Sequence, residues 1–179
     1  RYLHAKYQNS AKLMNMEYPA LLGEKSELGI WIRTKNVAEK LGDIMFVHGG
    51  ISPSVYHMDL DVFRVNKYTR PFYADSLYKY PNLETEILMG DYGPFWYRGL
   101  YKGDLGVRKG QLDSALTTFR ARHLVTGHTI IADTVSMLFN GKLFNTDVQH
   151  AKGKSEGLLV DGKEFFRVDG QGNRVKLGN

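Results

Sequence analysis

His48 follows the short apolar run Ile44-Met45-Phe46-Val47 and precedes Gly49-Gly50-Ile51-Ser52-Pro53. The run reads as a buried strand with the imidazole at its carboxyl end. Two glycines there let the backbone turn sharply and approach a ligand closely. The layout recurs at Leu124-Val125-Thr126-Gly127-His128-Thr129, where a second apolar strand delivers His128 into a turn beside Gly127. Two imidazoles held on strand ends can meet at one point, and neutral imidazole is a good ligand for zinc, manganese, iron or nickel. Each ring can equally be a core residue bonded to backbone. A pair alone does not complete a catalytic metal site, which uses about three protein ligands. Two-metal hydrolytic sites also use carboxylates to hold ions about 3.5–4 Å apart.

The carboxylates are less well placed. Asp43 sits in a tight turn, Asp91 in the Gly90-Asp91-Tyr92-Gly93 loop, and Asp133 after Ala132. Asp147 ends the strand 142–146 and is the best positioned of them. Arg98 lies within Gly93-Pro94-Phe95-Trp96-Tyr97-Arg98-Gly99, a guanidinium among aromatics and glycines. Its planar fork matches phosphate oxygens, although an arginine extending from an aromatic patch has the same sequence. Asn66 and Arg70 share a helical face at i, i+4 and either line the site or form a surface pair. His150 follows Asp147-Val148-Gln149 in a polar loop near the expected site. His4, His57 and His123 have weaker contexts. The Tyr-rich stretch 68–101 reads as packing rather than as a platform for bases.

These residues need a scaffold, and the pattern supplies one. Residues 2–16 read as a helix interrupted by Pro19, and Ser26-Glu27 opens another. Val37 to Leu41, the Gly42-Asp43 turn and Ile44 to Val47 predict a hairpin. Ser54 reads as the N-cap of a helix carrying Val55, Met58 and Val62. The segment 73–104, rich in Tyr, Pro and Gly, predicts a long, partly ordered loop. Residues 109–122 give the clearest helix, with Leu112, Ala115, Leu116 and Phe119 on one face. His123 to Thr126 follows as a strand. Two hairpins come next, one turning at Asn140-Gly141 and one at Asp161-Gly162, and the chain closes with further turns at 169–173. The second half is therefore mostly antiparallel, fed by one strand–helix–strand passage, and no internal repeat is visible.

Composition narrows the function classes. At 179 residues and 42% hydrophobic the chain is one domain with a real core. Lys and Arg number 24 against 19 Asp and Glu, a net charge of +5. This suits an anionic substrate, but the dispersed cations are not a nucleic-acid signature. With no cysteine, disulfides, thiolate zinc sites and cysteine nucleophiles are excluded from these residues. No apolar run approaches the ~20 residues that span a bilayer, so no membrane partner is expected. Arg1 is not an initiator residue, so the chain is expected to start downstream of its natural amino terminus.

Val47-His48-Gly49-Gly50-Ile51-Ser52-Pro53, Thr126-Gly127-His128-Thr129 and Gly93-Pro94-Phe95-Trp96-Tyr97-Arg98-Gly99 together resemble motifs of the calcineurin-like metallophosphoesterases. Within these they are most similar to the serine/threonine phosphoprotein phosphatase group, in its Shewanella-like branch. The resemblance implies an α/β (α+β) fold in which this chain is the carboxyl-terminal part of a two-sheet β-sandwich flanked by helices. It implies that residues 1–179 belong to one metallophosphatase domain, with 54–104 a helical and loop excursion near the substrate groove. It implies two divalent metal ions (Mn, Fe or Zn), with His48 and His128 as ligands of one. Arg98 would hold the substrate phosphate, and Asp147 would sit at the metal edge. The family's earlier Asp, His and Asn motifs are absent, so no catalytic general acid is expected here and the segment alone is expected to be inactive. The implied activity is metal-dependent phosphomonoester hydrolysis on a phosphorylated protein or peptide. The alternatives are a dinucleoside polyphosphate hydrolase of the same superfamily and a non-catalytic binding module.

Overall fold

The computed structural model describes residues 5–73, 79–153 and 155–178. Three helices lead in: α1 (Ala5–Leu13), α2 (Tyr18–Leu21) and α3 (Glu27–Arg33). Pro19 stands in the first turn of α2, where its missing N–H costs nothing. Ser26 caps α3 by accepting from Gly29 N at 2.9 Å.

The expected hairpin is present as β1 (Ala38–Leu41) and β2 (Ile44–Val47), paired antiparallel with Gly42 at φ +60° in the turn. The helix expected from Ser54 is split. Ser52 is the cap, with Pro53 as the first residue of α4 (Pro53–Tyr56), and Asp59 breaks the run at φ +51°. Asp61 then caps α5 (Val62–Thr69), accepting from Arg64 N at 2.7 Å. The expected loop 73–104 contains α6 (Leu83–Met89), capped by Asn82, and it buries Leu88 and Leu100 completely. Part of this expected loop, 74–78, lies outside the described residues, as does His4. The long helix α7 (Leu105–Thr118) begins at an Asp104 cap, before the Lys109 start that periodicity predicted.

After α7 come β3 (His123–Thr126), β4 (Ser136–Leu138), β5 (Leu143–Asn145), β6 (Glu156–Asp161), β7 (Glu164–Asp169) and β8 (Arg174–Leu177). They build two sheets. One has five strands in the order β1-β2-β3-β5-β4, and the other is the meander β6-β7-β8. In the first, β2, β3 and β5 run parallel and only the outer pairings are antiparallel. β8 was not foreseen, because its pattern is too exposed to resemble a strand.

The period-two alternation along the strands divides the core. Met45, Val47, Leu124 and Leu143 face Val55 of α4, Val65 of α5, Leu88 of α6 and Leu112 of α7. Ile44, Val125 and Phe144 face the other way, against Leu158, Val160 and Phe165 of the meander. Phe144 and Phe165 stack at 4.4 Å between centroids. The metallophosphoesterase-like half-sandwich expected above is therefore corrected. The chain is a small α/β domain built on a mixed five-stranded sheet. The parallel neighbours β2 and β3 require a crossover, and α4 to α7 supply it and cover one face.

Candidate functional site

Because β2 and β3 are parallel neighbours, with Phe46 opposite Val125, residues just beyond their carboxyl ends emerge at the same sheet edge. Gly127 N donates to His48 O at 2.9 Å and joins the two turns. His128 holds φ at +64°, a left-handed conformation that side-chain-bearing residues adopt rarely and chiefly at special sites. The result is a meeting of the two rings. His48 Nε2 lies 3.0 Å from His128 Nδ1, with centroids 4.8 Å apart and planes at 56°. At this distance one nitrogen donates and the other accepts.

The 93–99 segment closes onto this pair. Gly49 N donates to Pro94 O at 2.6 Å. A Cβ on Gly49 would stand 3.0 Å from the carbonyl oxygens of Pro94 and Phe95, so a side chain there would press the two segments apart by a few tenths of an ångström. Trp96 meets His128 edge-on at 5.4 Å. Arg98 is exposed, and its charge is felt at His128. Burial pulls the His128 pKa below its ordinary 6.5; the positive charges of Arg98 and His48 add to the shift and Asp147 opposes it. His128 Nε2 is enclosed and lacks a hydrogen-bond partner. An open groove of about 370 Å³ runs past His48, Phe95, Thr126, Gly127 and Thr146.

His48, His128, Arg98 and Asp147 are thus brought into one neighbourhood. The other candidates lie elsewhere. Asn66 is buried in α5, where its Oδ1 accepts from Val37 N and Ala38 N and its Nδ2 donates to Ala38 O. Arg70 donates to Asn36 Oδ1. His150 sits in a one-turn 3₁₀ helix, 3.5 Å from Ser155 Oγ. Asp43 pairs with Arg122 at the far end of β2, and Asp133 accepts from Gln149. His123 Nδ1 contacts Gly141 O and its ring packs on Phe165. His57 caps α4 against Tyr56.

Two polar residues were missed. Asn145 is fully buried beside Thr126, donates to Thr129 O at 3.0 Å and accepts from Asp147 N at 3.1 Å. Tyr101 hydrogen-bonds Thr126 Oγ1, and burial raises its phenol pKa. A polar residue ending the apolar strand Leu143-Phe144 is the signal that would have found Asn145. No local signal marks Tyr101.

No protein-family model matches this chain, and no curated protein matches it. Solved structures do. A cold-active protein-tyrosine phosphatase of a psychrophile Shewanella species superposes with a TM-score of 0.81 at 32% identity, over 99% of this chain and 53% of its own. A point mutant of a cold-active protein tyrosine phosphatase gives the same figures, and a further structure of such an enzyme gives 0.81 at 31% identity. The chain is similar to protein tyrosine phosphatases throughout. It spans about half the length of those structures.

These findings correct the expectations drawn from the motifs. The likeness is to proteins described as tyrosine phosphatases, and it replaces the calcineurin-like serine/threonine assignment. The dinuclear centre and its two divalent ions (Mn, Fe or Zn) are withdrawn as well. Among the described residues, no group of three or more His, Cys, Asp or Glu side chains is placed to share an ion. Two imidazoles converge, but among the described residues no carboxylate joins them as a ligand, so this donor set does not fit that cofactor. Among the described residues no helix is long and apolar enough to cross a membrane.

Proposed function

We propose that this chain forms part of a phosphoprotein phosphatase that acts on phosphotyrosine, with the phosphoryl group received at the edge where β2 and β3 end. The observation that carries this reading is the 3.0 Å approach of His48 to His128 at the mouth of the groove, beside the Arg98 segment, in a chain alike throughout to protein tyrosine phosphatases. Arg98 supplies a permanent positive charge and a fork of donors for phosphate oxygens. The imidazole pair supplies ring nitrogens that can donate or accept a proton at the phosphoryl group. Trp96 and Phe95 offer apolar surface beside the pair, which suits an aryl leaving group. The 54–104 excursion then serves as the wall that carries Arg98, and Asp147 tempers the positive charge at His128. The phosphorylated protein or peptide is the partner this reading requires. The polyphosphate and binding-module alternatives gain no observation of their own.

The test is turnover of p-nitrophenyl phosphate by the intact protein. His48→Ala and His128→Ala are expected to lower kcat by about 100-fold or more, the scale of a lost proton-transferring group. Arg98→Ala is expected to weaken inhibition by inorganic phosphate about tenfold or more. Wild-type turnover in both histidine variants would overturn the reading.

A further inference from the structure

A second cavity adjoins the His48 groove and shares Asn36 and Glu39 with it. It is larger, about 850 Å³, and lies between the end of α3 and the exposed side of α5. Three cations line it: Arg33, Lys67 and Arg70. Among the described residues none of them forms an ion pair, whereas Arg122, Lys142, Arg167, Arg174 and Lys176 all do. Arg33 is tied to the carbonyls of Leu22 and Gly23, and Arg70 to Asn36 Oδ1. These bonds go to neutral acceptors, so they hold the guanidinium groups without cancelling their charge. Among the described residues Glu39 is the one carboxylate on the wall, and Asn36 Nδ2 occupies one of its oxygens. Phe63 is 72% exposed at the same cavity, an apolar surface beside the cations.

We infer that this cavity docks acidic residues that flank the phosphotyrosine of a protein substrate, so that the enzyme selects phosphorylation sites in acidic sequence. The inference rests on the phosphatase reading above and assigns it a substrate class. Among the described residues, three cations without an ion pair against one bonded carboxylate give the cavity a positive field, and complementary charge speeds encounter and sets register. Continuity with the His48 groove lets one extended peptide occupy both. A peptide fits better than a polyanionic helix, because the cations surround a cavity with an apolar side instead of forming a flat stripe.

Lys67 is the position to test, because among the described residues it forms neither a hydrogen bond nor an ion pair through its side chain. Two phosphotyrosine peptides, one flanked by Asp and Glu and one by Ser and Gly, are offered to the intact enzyme. Lys67→Glu is expected to lower kcat/KM for the acidic peptide about tenfold at low salt and to leave p-nitrophenyl phosphate turnover unchanged. The preference fades as salt screens the charges. Lys163→Glu, in the β6–β7 turn, changes the net charge equally and is expected to leave the preference intact. Equal kcat/KM for both peptides in wild type, or equal loss in both lysine variants, would overturn the inference while the phosphatase reading stands. Fluorescence anisotropy of the labelled acidic peptide separates the two claims. Binding that Lys67→Glu abolishes, in an enzyme that hydrolyses no aryl phosphate, would retain the groove and sink the phosphatase reading. An oligonucleotide that binds more tightly than the acidic peptide would overturn the choice of partner.

Discussion

His48 and His128 stand 80 residues apart in sequence and 3.0 Å apart through their ring nitrogens. Two parallel strands with matched ends produce that contact. It sets one ring nitrogen as donor to the other, and the charge of Arg98 acts on His128 beside them.

The first consequence is a pH dependence. Burial and neighbouring positive charge hold the His128 pKa below 6.5, so folded His128 releases its proton more readily than the unfolded chain does. As pH falls below about 6.5, the unfolded state gains a proton that the folded state refuses, and stability drops until the folded pKa is passed. Above that window the contribution is fully present. An NMR titration of the imidazole signals is expected to place His128 below 6.5, and Arg98→Ala is expected to move it up. An unmoved midpoint would show that the guanidinium does not reach the ring.

Gly49→Ala tests the closure of the 93–99 segment. The new methyl group meets two backbone carbonyl oxygens at 3.0 Å, and backbone cannot swing aside as a long side chain can. The segment is expected to shift away and carry Arg98 with it. Phosphate inhibition should weaken several-fold, with a stability loss of about 1–3 kcal/mol from overpacking. Phosphate affinity equal to wild type would show that the closure does not position Arg98.

Asn66→Ala removes three hydrogen bonds to the backbone of Val37 and Ala38, all in buried surroundings. Each orphaned buried group costs about 1–3 kcal/mol, and partial relaxation brings the expected total to about 2–4 kcal/mol. Urea denaturation measures it. The loss should appear in the midpoint with little change in slope, and a cost under about 1 kcal/mol would mean that water reaches the site.

Phe144→Ala addresses the contact between the two sheets. The ring is fully buried and stacks on Phe165. Removing it is expected to cost about 3–5 kcal/mol. The meander should lose amide protection first, because Phe165 loses its stacking partner there. Uniform loss of protection across both sheets would show that they unfold as one unit.

The elements with strong local patterns were readable in the chain. The Gly42-Asp43 and Asn140-Gly141 turns, the alternating strands and the face of α7 follow from residue type alone, because a turn or an amphipathic face satisfies its own chemistry locally. Ser52 displaces Ser54 as the cap because Pro53, preset for the first helical position, starts the helix earlier. Helix α6 escaped notice among tyrosines and glycines, since its stability comes from burying Leu88 rather than from periodicity.

The converging residues were likewise visible: two glycine-flanked imidazoles after apolar strands, and an arginine among aromatics. What only the tertiary structure decided was which of these residues share a place. Asn66 and Arg70 have site-like spacing, yet α5 turns Asn66 into a clamp on β1 and leaves Arg70 bonded to Asn36. Asn145, unremarkable in the chain, is set beside Thr126 by strand register. Local sequence specifies turns, caps and faces because those interactions span a few residues. Convergence of distant side chains depends on strand order and direction, and these emerge only when the whole core packs.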